Sequence, residues 1–258
     1  MSNLCQPSDY DATAALAPRI VRPRRSRERI VFTTSEESAA ASRASTFDEL
    51  ADAPVAFIKR HRTGDVGRIE APRSPFGLAT IRKRYWYPTA RDRWRGLLRT
   101  TWLAPSRVER EAESLEQLAS AGLQPRLFLA FGERRALGVL HDSFLITREL
   151  DARPLDEVMR LERDAASRAA TLRSLGTFVG RLHARGFVDR DLHLRNLLVG
   201  RDLAIAKVDS PFAAIVPRWR RAAGQRRDLA DLVGGMAGST TPDERDEFES
   251  AYRHALAE

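Results

Sequence analysis

Three polar side chains in one short stretch of the chain could carry phosphoryl-transfer chemistry. Asn196 follows Asp191 by five residues, and Asp209 follows Asn196 by thirteen, after a short apolar hairpin. In sites that transfer a phosphoryl group, one carboxylate accepts or orients the attacking hydroxyl, while an amide and a second carboxylate hold Mg²⁺ against the nucleotide phosphates. The spacing of these three residues matches that division of roles. The stretch therefore predicts a phosphoryl-transfer site.

The elements that must position this stretch fall into a strand-rich first part and a helical second part. Short apolar or β-branched runs predict strands at 55–58, 78–81, 127–131 and 143–147. Glycines and prolines within 64–77 predict turns, and one helix is predicted from Ser106 to Ala121, with Gly122 as its stop. After Leu150, helices are predicted at 156–161, 165–185, 226–233 and 242–256, with a hairpin over 197–206.

These patterns divide the chain into three predicted segments. Residues 1–45 carry prolines, many alanines and serines, and a cluster of arginines, and we expect a mostly disordered basic tail there. Residues 46–150 form the strand-rich lobe and residues 151–258 the helical lobe. The tail is either passive or docks onto an anionic membrane surface, where each basic residue contributes about 1 kcal/mol.

The composition limits the classes of protein to consider. The chain has 258 residues, 43% of them hydrophobic, and no apolar run that approaches the length of a membrane span. We expect no signal peptide, and the one cysteine, Cys5, excludes an intrachain disulfide framework. The net charge of +8 attracts nucleic acid, anionic lipid or a phosphorylated polymer, or it reflects a surface on which arginine replaces lysine.

With its flanking motifs, the chain resembles the lipopolysaccharide core kinases, the Kdo/heptose kinase family of the protein-kinase-like superfamily. The similarity covers residues 76–258. It rests on the catalytic stretch and on a set of flanking runs: I-R-K-R-Y-W-Y-P at 81–88, S-R-V-E-R-E-A-E-S-L from Ser106, D-S-F-L-I-T-R-E-L from Asp142, R-D-L-A-D-L from Arg227 and F-E-S-A-Y-R from Phe248. The resemblance implies a bilobal α+β fold, with a small antiparallel sheet and one helix in the N-lobe and a shortened, mainly helical C-lobe.

The resemblance also implies a role for each residue of the site. Lys83 would neutralise the nucleotide phosphates, and Glu111 would pair with Lys83 and fix it. Arg82 competes for the role of Lys83, but it would point to the opposite face of the sheet, and Arg82, Lys83 and Arg84 could all be solvated. Asp191 would act as base and His193 would lie close to the transferred phosphoryl group. The metal ligands would be Asn196 and Asp209.

Several residues depart from the protein-kinase pattern. Asp189 stands where the catalytic loop usually has a histidine, and Ser210-Pro211 replaces the Phe-Gly after the metal-binding aspartate. The glycine-rich phosphate loop is reduced to Gly64 and Gly67, so that a different turn between the first strands could cradle the phosphates. Asp228 is either a buried acceptor for the catalytic-loop backbone or a favourable charge at a helix N-terminus.

The function implied by the resemblance is ATP- and Mg²⁺-dependent phosphorylation of a sugar hydroxyl, in Kdo or heptose of a lipopolysaccharide core or a related glycolipid. Such an enzyme would be cytoplasmic, with peripheral contact between basic residues and an anionic membrane. A kinase of a small molecule such as an aminoglycoside or choline, a protein kinase, and an inactive pseudokinase scaffold stay as alternatives. Nucleic acid is not an expected partner, because only charge supports it and no recognition motif is present.

Overall fold

As far as its residues are described, the strand-rich part of the chain forms one antiparallel sheet of six strands. The computed structural model describes residues 26–33, 36–42, 45–87, 89, 92 and 105–258. The sheet order is β1-β5-β6-β4-β3-β2. The strands are β1 (Ser26–Phe32), β2 (Ala56–His61), β3 (Gly64–Ile69), β4 (Thr80–Trp86), β5 (Phe128–Ala136) and β6 (Val139–Arg148).

Three α-helices among the described residues accompany this sheet: α1 (Glu36–Ser42), α2 (Phe47–Ala51) and α3 (Arg107–Ser120). The last is the helix that the sequence predicts. It begins at Ser106, whose side chain accepts a hydrogen bond from Glu109 N at 3.2 Å, and it ends before Gly122, whose φ is +68°.

The second part of the chain is mainly helical. It contains α4 (Leu155–Leu161), α5 (Ala165–Ala184), α6 (Arg218–Met236) and α7 (Pro242–Ala257). Five short strands complete it: β7 (Ala152–Pro154), β8 (Phe187–Val188), β9 (Leu197–Gly200), β10 (Ile205–Lys207) and β11 (Ala214–Ile215). Together with the sheet, this confirms the predicted α+β, kinase-like fold class.

Alternation along β4 explains why one strand serves two faces of the sheet. Arg82 and Arg84 are buried on one face, and Lys83 lies on the other. Arg82 donates to Ala51 O at the end of α2 and pairs with Asp65 at 3.0 Å, while Arg84 pairs with Asp142 at 2.6 Å. The alternative that all three residues are solvated is therefore wrong for the two arginines. Both are buried, and both donate hydrogen bonds to Ala51 O at the C-terminal end of α2.

Hydrophobic clusters cover both faces of this sheet and fill the helical part. Under α1 and α2, Phe47, Leu50, Phe76, Phe144 and Ile146 are buried together. Under α3, the buried set on the other face includes Val108, Leu115, Leu127, Phe131 and Leu145. A third cluster joins α4 to α7 with the catalytic stretch and includes Leu172, Leu182, Leu192, Leu197 and Phe248.

The structure corrects two predictions for the first third of the chain. Residues 26–32, predicted to belong to a disordered tail, form β1, and Glu36–Ser42 forms α1. The reason is that β1 pairs along its whole length with β5 and Phe32 packs under α2, so that partners distant in sequence order it. The rest of the predicted tail, before Ser26, lies outside the described residues. The second correction is β3, which the sequence predicts as turns because of Gly64 and Gly67.

No helix in the described part of the chain is both long enough and apolar enough to cross a membrane.

Candidate active site

The strand β4 and the helix α3 bring the predicted lysine and glutamate together. Lys83 Nζ lies 2.5 Å from Glu111 Oε1 and 3.4 Å from Asp209 Oδ1. Glu111 is 1% exposed, so its charge depends on the lysine for compensation. Burial opposes the charged form of Lys83, but Glu111 and Asp209 outweigh it and raise the pKa of the ammonium group above its ordinary value. The site therefore holds a fixed positive charge at neutral pH.

The carboxylate of Asp209 is held ionised at the same point. Burial by itself would raise its pKa, but Lys83 and Arg107 lower the pKa below the ordinary value. Arg107 Nη2 lies 3.1 Å from Asp209 Oδ1, a contact that the sequence reasoning did not predict. Asp209 has a φ of +58°, in the left-handed region that non-glycine residues seldom adopt. Strain of this kind is common at functional sites.

The catalytic stretch places Asp191 between two basic side chains. His193 Nε2 lies 3.2 Å from Asp191 Oδ1, and Arg195 Nη2 lies 3.7 Å from the same oxygen. The Asp191 side chain is 30% exposed, so a hydroxyl from outside can reach it. The second carboxylate oxygen, Oδ2, is the one left to receive a proton.

Asn196 ties this loop to the segment after β10 that carries Asp209. Its Nδ2 donates to Asp191 O at 3.1 Å, and its own carbonyl accepts from Val208 N at 2.9 Å. Because the amide nitrogen is engaged in this way, the side-chain oxygen is left as an acceptor for a ligand.

A cavity of about 410 Å³ lies between the sheet and the helical part. Four of the six predicted site residues line it, namely Lys83, Glu111, Asn196 and Asp209. Its apolar walls include Val66, Ile81, Leu115, Leu198 and Val208, and the segment 148–150 forms one edge. Asp191 and His193 lie outside this lining, next to Asn196 in the chain. A planar apolar group with a phosphate tail would fit the combination of apolar walls and a fixed cation.

The donor set also fits Mg²⁺. Asp209 and the free oxygen of Asn196 are hard oxygen ligands that face the same cavity, and Mg²⁺ is usually held by one or two such ligands together with phosphates and water. No group of three or more His, Cys, Asp or Glu side chains that could hold a metal ion occurs in the described residues, this cavity included, so the proposed site has two protein ligands.

Asp189, the discordant residue of the catalytic stretch, pairs with a buried lysine. Asp189 Oδ2 lies 2.7 Å from Lys207 Nζ, and both side chains are fully buried. Asp189 Oδ1 accepts from Asp191 N at 3.0 Å, and Lys207 Nζ donates to the carbonyls of Asp191 and Val208 at 3.3 Å each. The pair thus joins the backbones on either side of the site. A lysine directly after the apolar run 203–206 was the signal in the sequence that could have revealed it.

Asp228 supports the same loop from below. It is fully buried in the middle of α6, where its Oδ2 accepts from Asp189 N at 2.7 Å. This confirms the first of the two sequence interpretations and excludes a charge at a helix N-terminus. His183 Nε2 lies 3.3 Å from the same oxygen, and His183 Nδ1 lies 3.1 Å from Tyr252 OH. Burial raises the pKa of Asp228 despite these hydrogen bonds.

The two glycines of the reduced phosphate motif serve packing. A Cβ at Gly64 would lie 2.7 Å from Arg84 O, and one at Gly67 would lie 2.5 Å from a methyl group of Val55. Both glycines lie within β3, and the connection from β2 to β3 is the turn of residues 62–63. The phosphate-binding residues are therefore still a prediction, with this turn as the candidate.

Comparison with known proteins gives one family. The model of the lipopolysaccharide kinase (Kdo/WaaP) family matches residues 63–252. A search of curated proteins found no match.

Proposed function

The chain belongs to the lipopolysaccharide kinase (Kdo/WaaP) family, whose members are ATP-dependent phosphotransferases, and on that premise we propose that it phosphorylates a hydroxyl of Kdo or heptose in a lipopolysaccharide core. The observation that carries the proposal is the contact of Lys83 Nζ with both Glu111 and Asp209 at the wall of the cavity. A lysine fixed in this way has the position and charge needed by the phosphates of ATP.

In the proposed reaction, the acceptor hydroxyl oxygen attacks the γ-phosphorus of ATP. The bond from that phosphorus to the β,γ-bridging oxygen breaks, and ADP leaves. Asp191 accepts the hydroxyl proton on Oδ2, while His193 holds Oδ1 at 3.2 Å and so orients the carboxylate. The apolar walls take the adenine, and Lys83 neutralises charge on the phosphates.

Asn196 and Asp209 are the proposed ligands of Mg²⁺. When bound, the ion would neutralise charge on the phosphate oxygens. The depressed pKa of Asp209 keeps this carboxylate ionised and ready to bind it. We further propose that the protein acts at the cytoplasmic face of a membrane, because a lipopolysaccharide acceptor is anchored in one.

Substitution of the proposed base and metal ligand tests the reaction. Asp191→Asn should lower phosphate transfer from ATP to Kdo- and heptose-containing core glycolipid by at least about 100-fold, the lower range for loss of a general base. Asp209→Ala should abolish the transfer, because it removes a proposed ligand of Mg²⁺. Phosphate incorporation is measured by mass spectrometry. Arg201→Gln, an exposed arginine away from the cavity, is the matched control and should leave transfer unchanged.

The outcomes separate the alternatives. An active Asp209→Ala enzyme would contradict the proposed site. In a second outcome, the wild-type protein would transfer phosphate to a soluble aminoglycoside, choline or a protein, but not to core glycolipid. That result would support the proposed phosphoryl transfer and contradict the proposed acceptor. A wild-type protein without transfer to any of them would favour a scaffold.

A further inference from the structure

The N-terminal half of α6 presents an apolar and basic face to the outside. Trp219 is 76% exposed, and Ile215, in the preceding strand, is 52% exposed. Positions 219, 222, 223, 226 and 230 are all exposed and lie opposite the buried Asp228 and Leu232. The side chains at 222, 223 and 230 are alanines, so the Trp219 indole is the one large apolar group on this face.

The same segment is strongly and uniformly basic. Between Ser210 and Arg227 there are five arginines and no acidic residue. Arg221 donates to Val216 O, and Arg227 lies 3.9 Å from Asp231. In the described part of the chain, the other three have no carboxylate within 4.0 Å; they are Arg218, Arg220 and Arg226. We call the α6 face the set of Ile215, Arg218, Trp219, Arg220 and Arg226.

This face lies beside the catalytic stretch. The strand β11, which carries Ile215, pairs with β8, and β8 leads directly into Asp189 and Asp191. Farther along α6, the contacts with the loop lie on the opposite side of the helix from the α6 face, since Asp228 accepts from Asp189 N and a Cβ at Gly235 would lie 3.8 Å from Leu194. Because Ile215 pairs with Phe187, a surface bound at Ile215 would lie near the start of the catalytic stretch.

We propose that the α6 face docks onto an anionic phospholipid bilayer and so presents the catalytic loop to an acceptor anchored in that bilayer. The orientation toward an acceptor rests on the proposed function, whereas the docking itself does not. Trp219 and Ile215 have the amphipathic and apolar character that enters the headgroup region, and the three uncompensated arginines match lipid phosphates in charge. Charge alone would also suit nucleic acid, but a duplex surface would leave the exposed apolar side chains without burial.

Vesicle binding tests the proposal. Wild-type protein should sediment with vesicles of equimolar phosphatidylglycerol and phosphatidylcholine and stay in solution with phosphatidylcholine alone. Each basic residue near an anionic surface contributes about fivefold in partitioning, so the triple variant Arg218→Gln/Arg220→Gln/Arg226→Gln should bind about 100-fold more weakly. Trp219→Ala should also weaken binding, with loss of the blue shift of tryptophan emission on vesicle addition.

A matched control carries the same change of charge elsewhere. Arg160→Gln/Arg163→Gln/Arg245→Gln removes three exposed arginines from α4, its following loop and α7, and should keep most of the binding. Equal losses in both triple variants would overturn a specific face, and so would wild-type protein that does not sediment with anionic vesicles. A third outcome would overturn membrane docking in favour of nucleic acid. In that case the wild type would bind duplex DNA but no vesicles, and the α6 triple variant would not bind the DNA.

A second measurement separates this proposal from the proposed function. The thermal shift produced by Mg²⁺-ATP reports on the cavity and should be the same in the wild type and in both triple variants. Vesicle binding without a nucleotide shift would support the α6 face and contradict the kinase site. A nucleotide shift without vesicle binding would support the kinase site and contradict the α6 face.

Discussion

Asp189 shows how a carboxylate can occupy a place that usually has a histidine. A buried carboxylate without a partner is costly, but Lys207 lies 2.7 Å away and is equally buried. The pair also binds the Asp191 amide and the carbonyls of Asp191 and Val208. Two residues that look anomalous when taken singly are therefore complementary, and together they fix the loop relative to Asp209.

Removal of one partner of this pair should be strongly destabilising. Lys207→Met leaves the buried Asp189 charge uncompensated, and we expect a loss of about 3–5 kcal/mol in the free energy of unfolding, measured by urea denaturation. Adding Asp189→Asn to Lys207→Met should recover part of that loss, because the amide carries no charge and still accepts from Asp191 N.

The exposed pair Arg201–Asp151, at 3.2 Å, provides the control. Arg201→Met should cost less than about 1 kcal/mol, since surface ion pairs contribute little. If the double variant at 189 and 207 were less stable than Lys207→Met alone, the buried charge would not be the cause of the loss.

At the scale of elements, the helices α5 and α7 approach closely enough to bring Tyr252 against His183. Two glycines one turn apart permit this approach. A Cβ at Gly176 would lie 2.3 Å from Phe248 O, and one at Gly180 would lie 2.6 Å from Tyr252 O. The helix α5 leads into β8 and the catalytic stretch, so the spacing of these helices also positions the His183–Asp228 contact beneath the loop.

Gly180→Ala should lower the free energy of unfolding by about 1–3 kcal/mol, the usual cost of overpacking, because the backbone of α7 must move. The gain of up to about 1 kcal/mol in helix propensity would offset only part of this. Thermal or urea denaturation measures the change.

Gly234→Ala in α6 is the matched control. A Cβ there would meet nothing within 4 Å, so the same substitution should be neutral or stabilising by up to about 1 kcal/mol. Similar losses at both positions would indicate that helix packing is not responsible.

At the scale of the whole molecule, the cavity joins the sheet to the helical part. Lys83 and Ile81 come from the sheet, whereas Leu198 and Asp209 come from the hairpin region that follows the catalytic loop. A nucleotide bound there would contact both parts at once. Because binding to the folded state alone stabilises it, the ligand should stabilise both parts together.

Mg²⁺-ATP at about 100 times its Kd should therefore raise the stability of the wild type by about 2.7 kcal/mol, seen as a single thermal transition at higher temperature. Lys83→Met should remove most of the shift, because it removes the charge that faces the phosphates. Lys59→Met, an exposed lysine on β2, is the control and should keep it. Two transitions, with only one of them shifted, would show that the ligand does not join the two parts.

Sequence reasoning predicted most of the secondary structure that positions the site. The helix α3, the hairpin of β9 and β10, and the long helix α5 follow from apolar periodicity and local stop signals. β1 and β3 were missed because the first is ordered by β5, about 100 residues away in sequence, and the second has glycines that packing requires. Local patterns carry no information about such distant partners.

The sequence by itself predicted phosphoryl-transfer chemistry, in agreement with the family, because the offsets among Asp191, His193, Asn196 and Asp209 are local. It also favoured Lys83 over Arg82 as the residue that faces the nucleotide phosphates, because neighbouring side chains on a strand point to opposite faces of the sheet. Only the tertiary structure decided which polar and charged groups pair with each other. Lys207 with Asp189, Arg107 with Asp209 and Tyr252 with His183 lie far apart in sequence, and such pairs depend on strand register and helix packing.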